Sequence, residues 1–131
     1  MSATNNEILT GFYNKLIAGA LGYDLAVPAV DFTPPAEGYW LELNHFPNRG
    51  RDEGLAYDSS FVPEGIIQVN VFGRPGVGII QAGNIVEQVL ALFPKGETLS
   101  GSVRVIRQGY STDRIDMEDR FMIPVVFEYL G

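Results

Sequence analysis

The chain has 131 residues, 16 acidic against 9 basic side chains for a net charge of −7, 46% hydrophobic residues and no cysteine. That length suits a single domain spanning residues 1–131, which buries roughly two-thirds of the surface its unfolded chain exposes. Zero cysteine excludes disulfides, thiolate metal sites and cysteine nucleophiles, one histidine (His45) excludes sites that need two imidazoles, and the acidic balance argues against a chain that grips phosphate backbones with clustered Lys and Arg.

The opening MSATNNEILT has no basic region followed by an apolar run, and no stretch approaches the ~20 uncharged apolar residues that cross a bilayer. From Asn5 to Leu21, Ile8, Leu9, Phe12, Tyr13, Leu16, Ile17 and Ala20 recur at helical spacing. Thr4 with Glu7 forms a capping-box start and Gly22 a stop. Val27 to Gly38 carries Pro28, Pro34 and Pro35, so it reads as an extended connection laid across the surface. Tyr39 to Phe46 alternates Leu41 and Leu43 with Trp40, Glu42 and Asn44, the period of a half-buried strand. Residues 47–63 are too polar and irregular for the core and are expected to form a long exposed loop of functional interest.

The clearest strand is Gly65 to Phe72, with Ile67, Val69 and Val71 on one face and Gln68 and Asn70 on the other. After the turn Gly73 to Gly78, a helical stripe runs through Ile79, Ala82, Ile85, Val86, Val89, Leu90 and Phe93 and stops at Pro94 and Gly96. Ser102 to Gln108 and Arg120 to Tyr129 read as two further strands, joined by the polar connector Gly109 to Asp119. Pro124 donates nothing to a ladder, which places the last strand at an edge or a bulge where another subunit docks. The order α-β-β-α-β-β gives an α+β fold: a mainly antiparallel sheet of about four to five strands with two main helices on one face.

Each candidate for chemistry has a plainer explanation. Gly73-Arg74-Pro75-Gly76-Val77-Gly78 sits between a strand and a helix, where backbone amides bind anions. A dinucleotide fingerprint begun at Gly76 needs glycine where Gln81 stands, and no Lys-Ser or Lys-Thr pair completes a P-loop. Arg74 also lies one residue too close to Gly76 for an acetyltransferase pyrophosphate loop, so a structural turn is the better reading. His45 specifies neither an acid partner nor a nucleophile and reads as a surface or packed histidine. Asp113, Asp116, Glu118 and Asp119 lack the spacing and central glycine of a calcium loop. Trp40, with Glu42 on the same strand face, fits a ligand platform and a subunit contact equally. No constellation supports catalysis, and no catalytic residue, metal or cofactor is expected.

The run from Pro28 through Val30-Asp31-Phe32-Thr33-Pro34-Pro35, followed by Gly38-Tyr39-Trp40-Leu41-Glu42-Leu43, resembles the entry to the first sheet strand of the phage tail terminator (tail-completion) family. The string Gly65 to Phe72 followed by Pro75-Gly76-Val77-Gly78 resembles that family too, and the similarity in layout covers most of the chain. The resemblance implies a non-enzymatic virion protein, assembled in the host cytoplasm, that forms a hexameric ring on the head-proximal end of the tail tube. Its implied partners are further copies of itself, the tail tube protein and the head-tail connector or neck proteins, with no membrane involved. DNA would cross an acidic lumen without specific binding. Such a ring needs heterologous contacts, for which two segments are the candidates: Arg49, Arg51, Asp52, Glu53 and Asp58 in the 47–63 loop, and Arg114, Asp116 and Glu118 in the connector. The alternatives are another neck, head-tail joining or minor tail protein and, more distantly, a small acyl-CoA- or nucleotide-binding enzyme using the Gly73–Gly78 turn.

Overall fold

A computed structural model describes residues 5–19, 22–27, 30–47, 51–53, 60–62, 64–76, 78–101 and 103–131, with the backbone alone at 5, 51–53 and 60–62. Helix α1 spans Asn5–Ala18, and its inward stripe is Ile8, Phe12 and Leu16, spaced by four and all buried. The expectation of Ile17 on the inner face is corrected, because it falls outside that stripe and is 52% exposed. The helix closes short of the expected Leu21, with the Gly19 amide donating to the Lys15 carbonyl at 3.1 Å. Thr4, Ala20 and Leu21 lie outside the described residues.

Among the described residues ten strands follow: β1 Asp24–Ala26, β2 Tyr39–Pro47, β3 Arg51–Glu53, β4 Ser60–Val62, β5 Glu64–Gly73, β6 Thr98–Ser100, β7 Val103–Val105, β8 Tyr110–Ser111, β9 Ile115–Asp116 and β10 Phe121–Leu130, with helix α2, Ile79–Leu92, between β5 and β6. Eight of them form one sheet along the path β1-β2-β5-β10-β7-β6, with β8 and β9 also paired to β10. The α+β class holds, but the expected sheet of four to five antiparallel strands in α-β-β-α-β-β order is corrected to a mixed sheet of eight. β1 runs parallel to β2 in register Asp24↔Trp40, and the other pairs are antiparallel. Strands of two or three residues are too short to show a period of two, so periodicity finds only the long ones. The 47–63 segment carries β3 and β4, paired antiparallel with Arg51 opposite Val62.

β5 and β10 are the middle of the sheet, paired over ten residues from Phe121↔Gly73 to Leu130↔Glu64. Their odd-numbered residues, Ile67, Val69, Val71, Ile123, Val125 and Phe127, share one core with both helices. Phe12 stacks on Phe93 with centroids 3.8 Å apart and planes 2° from parallel, and Phe127 is tilted against both. Burying each ring contributes ~1.5–3 kcal/mol, and an aromatic pair adds ~0.5–1.5 kcal/mol. Gly11 lets α1 lie directly on the backbone of Leu99, where a Cβ would collide with the carbonyl oxygen. That contact covers the β6 edge of the sheet at this point.

The expectation that Pro124 marks an edge or a bulge is also corrected, since β10 keeps an unshifted register with β5 through Pro124↔Asn70. β10 is flanked by β5 on one side and by β7, β8 and β9 on the other. The Pro124 carbonyl accepts from the Thr112 amide at 3.0 Å, so its ring nitrogen faces that same flank. There the ladder is broken between β9, opposite Phe121 and Met122, and β8, opposite Val125 and Val126. A central strand tolerates proline where its neighbour is interrupted.

Candidate functional site

The sheet face away from the helices carries Trp40, Glu42 and Asn44 of β2 beside Phe72, Asn70 and Gln68 of β5. Alternation marks it as the polar, solvent side, yet Trp40, Phe72 and Asn70 are buried. Two arginines and the proline segment cover them. Trp40 stacks on Phe72 with centroids 5.2 Å apart, and the Arg74 and Arg120 guanidinium carbons stand 4.8 and 5.3 Å from the indole. Arg74 donates through Nε and Nη2 to the Pro35 carbonyl at 3.2 and 2.8 Å, and through Nη1 to Asp119 Oδ2 at 3.1 Å. Arg120 grips the same carboxylate in bidentate fashion, Nε to Oδ1 at 3.0 Å and Nη2 to Oδ2 at 3.2 Å. The hydrogen bond from Arg120, aided by the charges of Arg120 and Arg74, holds the Asp119 carboxyl below its ordinary pKa.

The same residues hold the start of the Gly73–Gly78 turn. Its one described cation, Arg74, is committed to Pro35, Asp119 and Trp40. Gly76 and Gly78 adopt φ of 91° and 94°, the left-handed region where glycine is favoured, and the Tyr39 hydroxyl donates to the Gly78 carbonyl at 3.0 Å. These bonds link the turn to the starts of β2 and β10. His45 is likewise a packed residue: its Nε2 lies 2.8 Å from the Tyr129 hydroxyl oxygen. Burial lowers the His45 pKa and pushes Tyr129 up to about 12.

Below Trp40 the face carries a hydrogen-bonded polar row. Glu42 Oε1 accepts from Asn44 Nδ2 at 3.0 Å and from Asn70 Nδ2 at 2.8 Å, and Asn70 Oδ1 accepts from Gln68 Nε2 at 2.7 Å. The row opens into a cleft of about 430 Å³ lined by Val30, Phe32, Pro34, Trp40, Glu42 and Arg120. The polar members were legible as one strand face. Their joining needed the register Glu42↔Asn70, which pattern alone does not supply.

The described strands of the two segments join the chain toward opposite ends of the central strands. β9 pairs with Phe121 and Met122, the end where Tyr39 meets Gly73, whereas β3 and β4 are inserted where Pro47 meets Gly65. Eight residues of strand separate those ends, about 27 Å. Arg114, Asp116 and Glu118 are all exposed, and Arg114 Nε pairs with Asp116 Oδ1 at 2.8 Å. Exposed pairs of this kind contribute about 0–1 kcal/mol. The charge reading overlooked Tyr110, Ile115 and Met117, which are 41–50% exposed in the same ribbon. Ile115 and Met117, two apart and flanked by charges, were the available signal. Arg51, Asp52 and Glu53 form β3, opposite Val62, Phe61 and Ser60. Arg49 and Asp58 lie outside the described residues. No helix among the described residues is long and apolar enough to cross a membrane.

Comparison with known proteins supplies the family context. A family model described as Phage tail terminator protein matches residues 8–129. No curated protein matches. One solved structure is 26% identical, covers 98% of this chain and 96% of its own, and superposes with a TM-score of 0.78. Another, from the virion of a native gene transfer agent particle, is 16% identical, covers 99% of this chain and 98% of its own, and has a TM-score of 0.70, a likeness of fold.

Proposed function

This chain belongs to the phage tail terminator family, and on that premise we propose that it caps the head-proximal end of the tail tube as a hexameric ring. Family membership makes it a structural component of a phage tail. In the finer reading, the ring ends polymerisation of the tube and offers the surface to which the filled head attaches.

The observation that carries this reading is the family match over residues 8–129. The geometry agrees with it. A cap that joins two different structures needs two unlike docking ends, and the chain has the β3–β4 pair inserted at one end of its central strands and the β9 segment at the other. One end meets the tube and the other the head side, with neighbouring copies in between in heterologous contact. Arg49, Arg51, Asp52, Glu53 and Asp58 act in the first docking end, and Arg114, Asp116 and Glu118 in the second. The net charge of −7 lets DNA pass the lumen by repulsion, without specific binding.

Removing the gene tests the proposal. Tails of uncontrolled length are expected in its absence, with normal length restored by the gene in trans. Particles whose tails keep their normal length without it overturn the capping role, and a failure only of head attachment points instead to a neck or head-tail joining protein.

A further inference from the structure

We propose that the Glu42 cleft is the socket for a guanidinium of a second copy of this chain, and that Arg104 of that copy fills it. The inference rests on the reading of the chain as a self-assembling tail protein and names the contact between copies.

The socket is prepared by the polar row. Asn44 and Asn70 both donate to Glu42 Oε1, which fixes the carboxylate and leaves Oε2 without a hydrogen bond among the described residues. Val30, Phe32 and Pro34 line it beside Asp31 and Asn44, and Val30 is 64% exposed at the mouth, whereas Trp40 is already covered by Arg74 and Arg120. Asp31 lines the same cleft, and Arg120, the cation among its described lining residues, is bonded to Asp119 and also feels the charge of Glu42. Two carboxylates, Glu42 and Asp31, beside the Phe32 ring and Pro34 are the chemistry that recognises a planar guanidinium.

The arginines with described side chains supply the donor. Arg74 and Arg120 are held by Asp119, Arg114 by Asp116 and Lys15 by Glu97, and Arg107 stands 4.0 Å from Glu128. Arg104 is exposed and has no ion-pair or hydrogen-bond partner among the described residues. It sits opposite Leu130, which puts it on the same sheet face as Glu42. Within one copy the two cannot meet: three strand spacings, about 14 Å, and six residues along β10, about 20 Å, separate them. They occupy opposite flanks of the sheet, β2 on one side of β5 and β10, and β7 on the other. Joining the β7 flank of one copy to the β2 flank of the next is a head-to-tail contact, the kind that closes into a ring.

Sedimentation velocity of the full chain tests this directly. Glu42→Gln keeps an acceptor oxygen for Asn44 and Asn70, and Arg104→Glu alters an exposed side chain, so both variants melt like the parent chain. Each is expected to self-associate about tenfold more weakly or worse. Mixed in equal amounts, the two variants complement each other at a single contact. They therefore pair as heterodimers and grow no larger. Variants that assemble like the parent, a mixture that forms no heterodimer, or a parent chain that stays monomeric at its solubility limit each overturn the proposal. Tail length in cells lacking the gene scores the capping role separately, so the socket and the cap fail independently.

Discussion

Two glycine-to-alanine substitutions, both inside helices, should move stability in opposite directions. At Gly11, a Cβ meets the backbone of Leu99, which cannot rotate away as a side chain would. Relief requires α1 to lift from β6, and overpacking of this kind costs ~1–3 kcal/mol. The upper bound is full undocking of α1, which exposes Ile8, Phe12 and Leu16 at ~1.5–3 kcal/mol each. Against this stands the helix propensity gained on replacing glycine by alanine, at most ~1 kcal/mol. At Gly83 in α2 a Cβ has nothing within 4 Å, so only the propensity gain remains. For a chain of this size each kcal/mol shifts the melting temperature by ~3–5 °C. Gly11→Ala should therefore melt several degrees lower, and Gly83→Ala a few degrees higher, than the parent in calorimetry, with matching midpoint shifts in urea. A Gly11→Ala chain as stable as Gly83→Ala would show that α1 does not rest on the β6 backbone, and would refute the packing described for that edge.

Three further outcomes are expected. Trp40→Ala removes the surface on which Phe72, Arg74 and Arg120 converge and should cost ~3–5 kcal/mol in urea unfolding, with Trp40→Phe losing much less. Because burial holds the His45 pKa below its ordinary 6.5, the folded chain takes up that proton later than the unfolded one. Its contribution is fully present above pH 6.5 and declines as pH falls through the lower folded value, so urea midpoints should drop between about pH 7.5 and 5.5, and less so in His45→Gln. Ile115→Asp and Met117→Asp alter exposed side chains and should leave stability within ~0.5 kcal/mol, yet reduce incorporation into tails when scored by composition of purified particles; unchanged incorporation would remove the ribbon from the docking surface.

The long elements were legible because each carries many turns of one period. β5 shows Ile67, Val69 and Val71 against Gln68 and Asn70, and α2 shows a stripe through Ala82, Ile85, Val86 and Val89, all buried. The short strands were not legible, since β8 and β9 hold two residues each and exist through pairing with β10. Pro124 misled for a related reason: the rule against proline in central strands assumes an unbroken neighbour, and β10 has a gap there. The candidate site was half legible. Alternation put Trp40, Glu42 and Asn44 on one face, but the burial of Trp40 comes from Arg74 and Arg120, which are 34 and 80 residues away in sequence and carry no local mark of that contact. Charge marked Arg114, Asp116 and Glu118 as surface, while their apolar neighbours Ile115 and Met117 passed for part of a solvated connector.

The capping role is tested most directly by polymerising purified tail tube protein with and without this chain and measuring tube lengths by electron microscopy. The chain is expected to bind one end of each tube as a ring, and tubes carrying it to stop growing, so lengths stay fixed as more subunits are added. Tubes that keep elongating at the occupied end, or a chain that decorates the tube wall and leaves its end free, would contradict it.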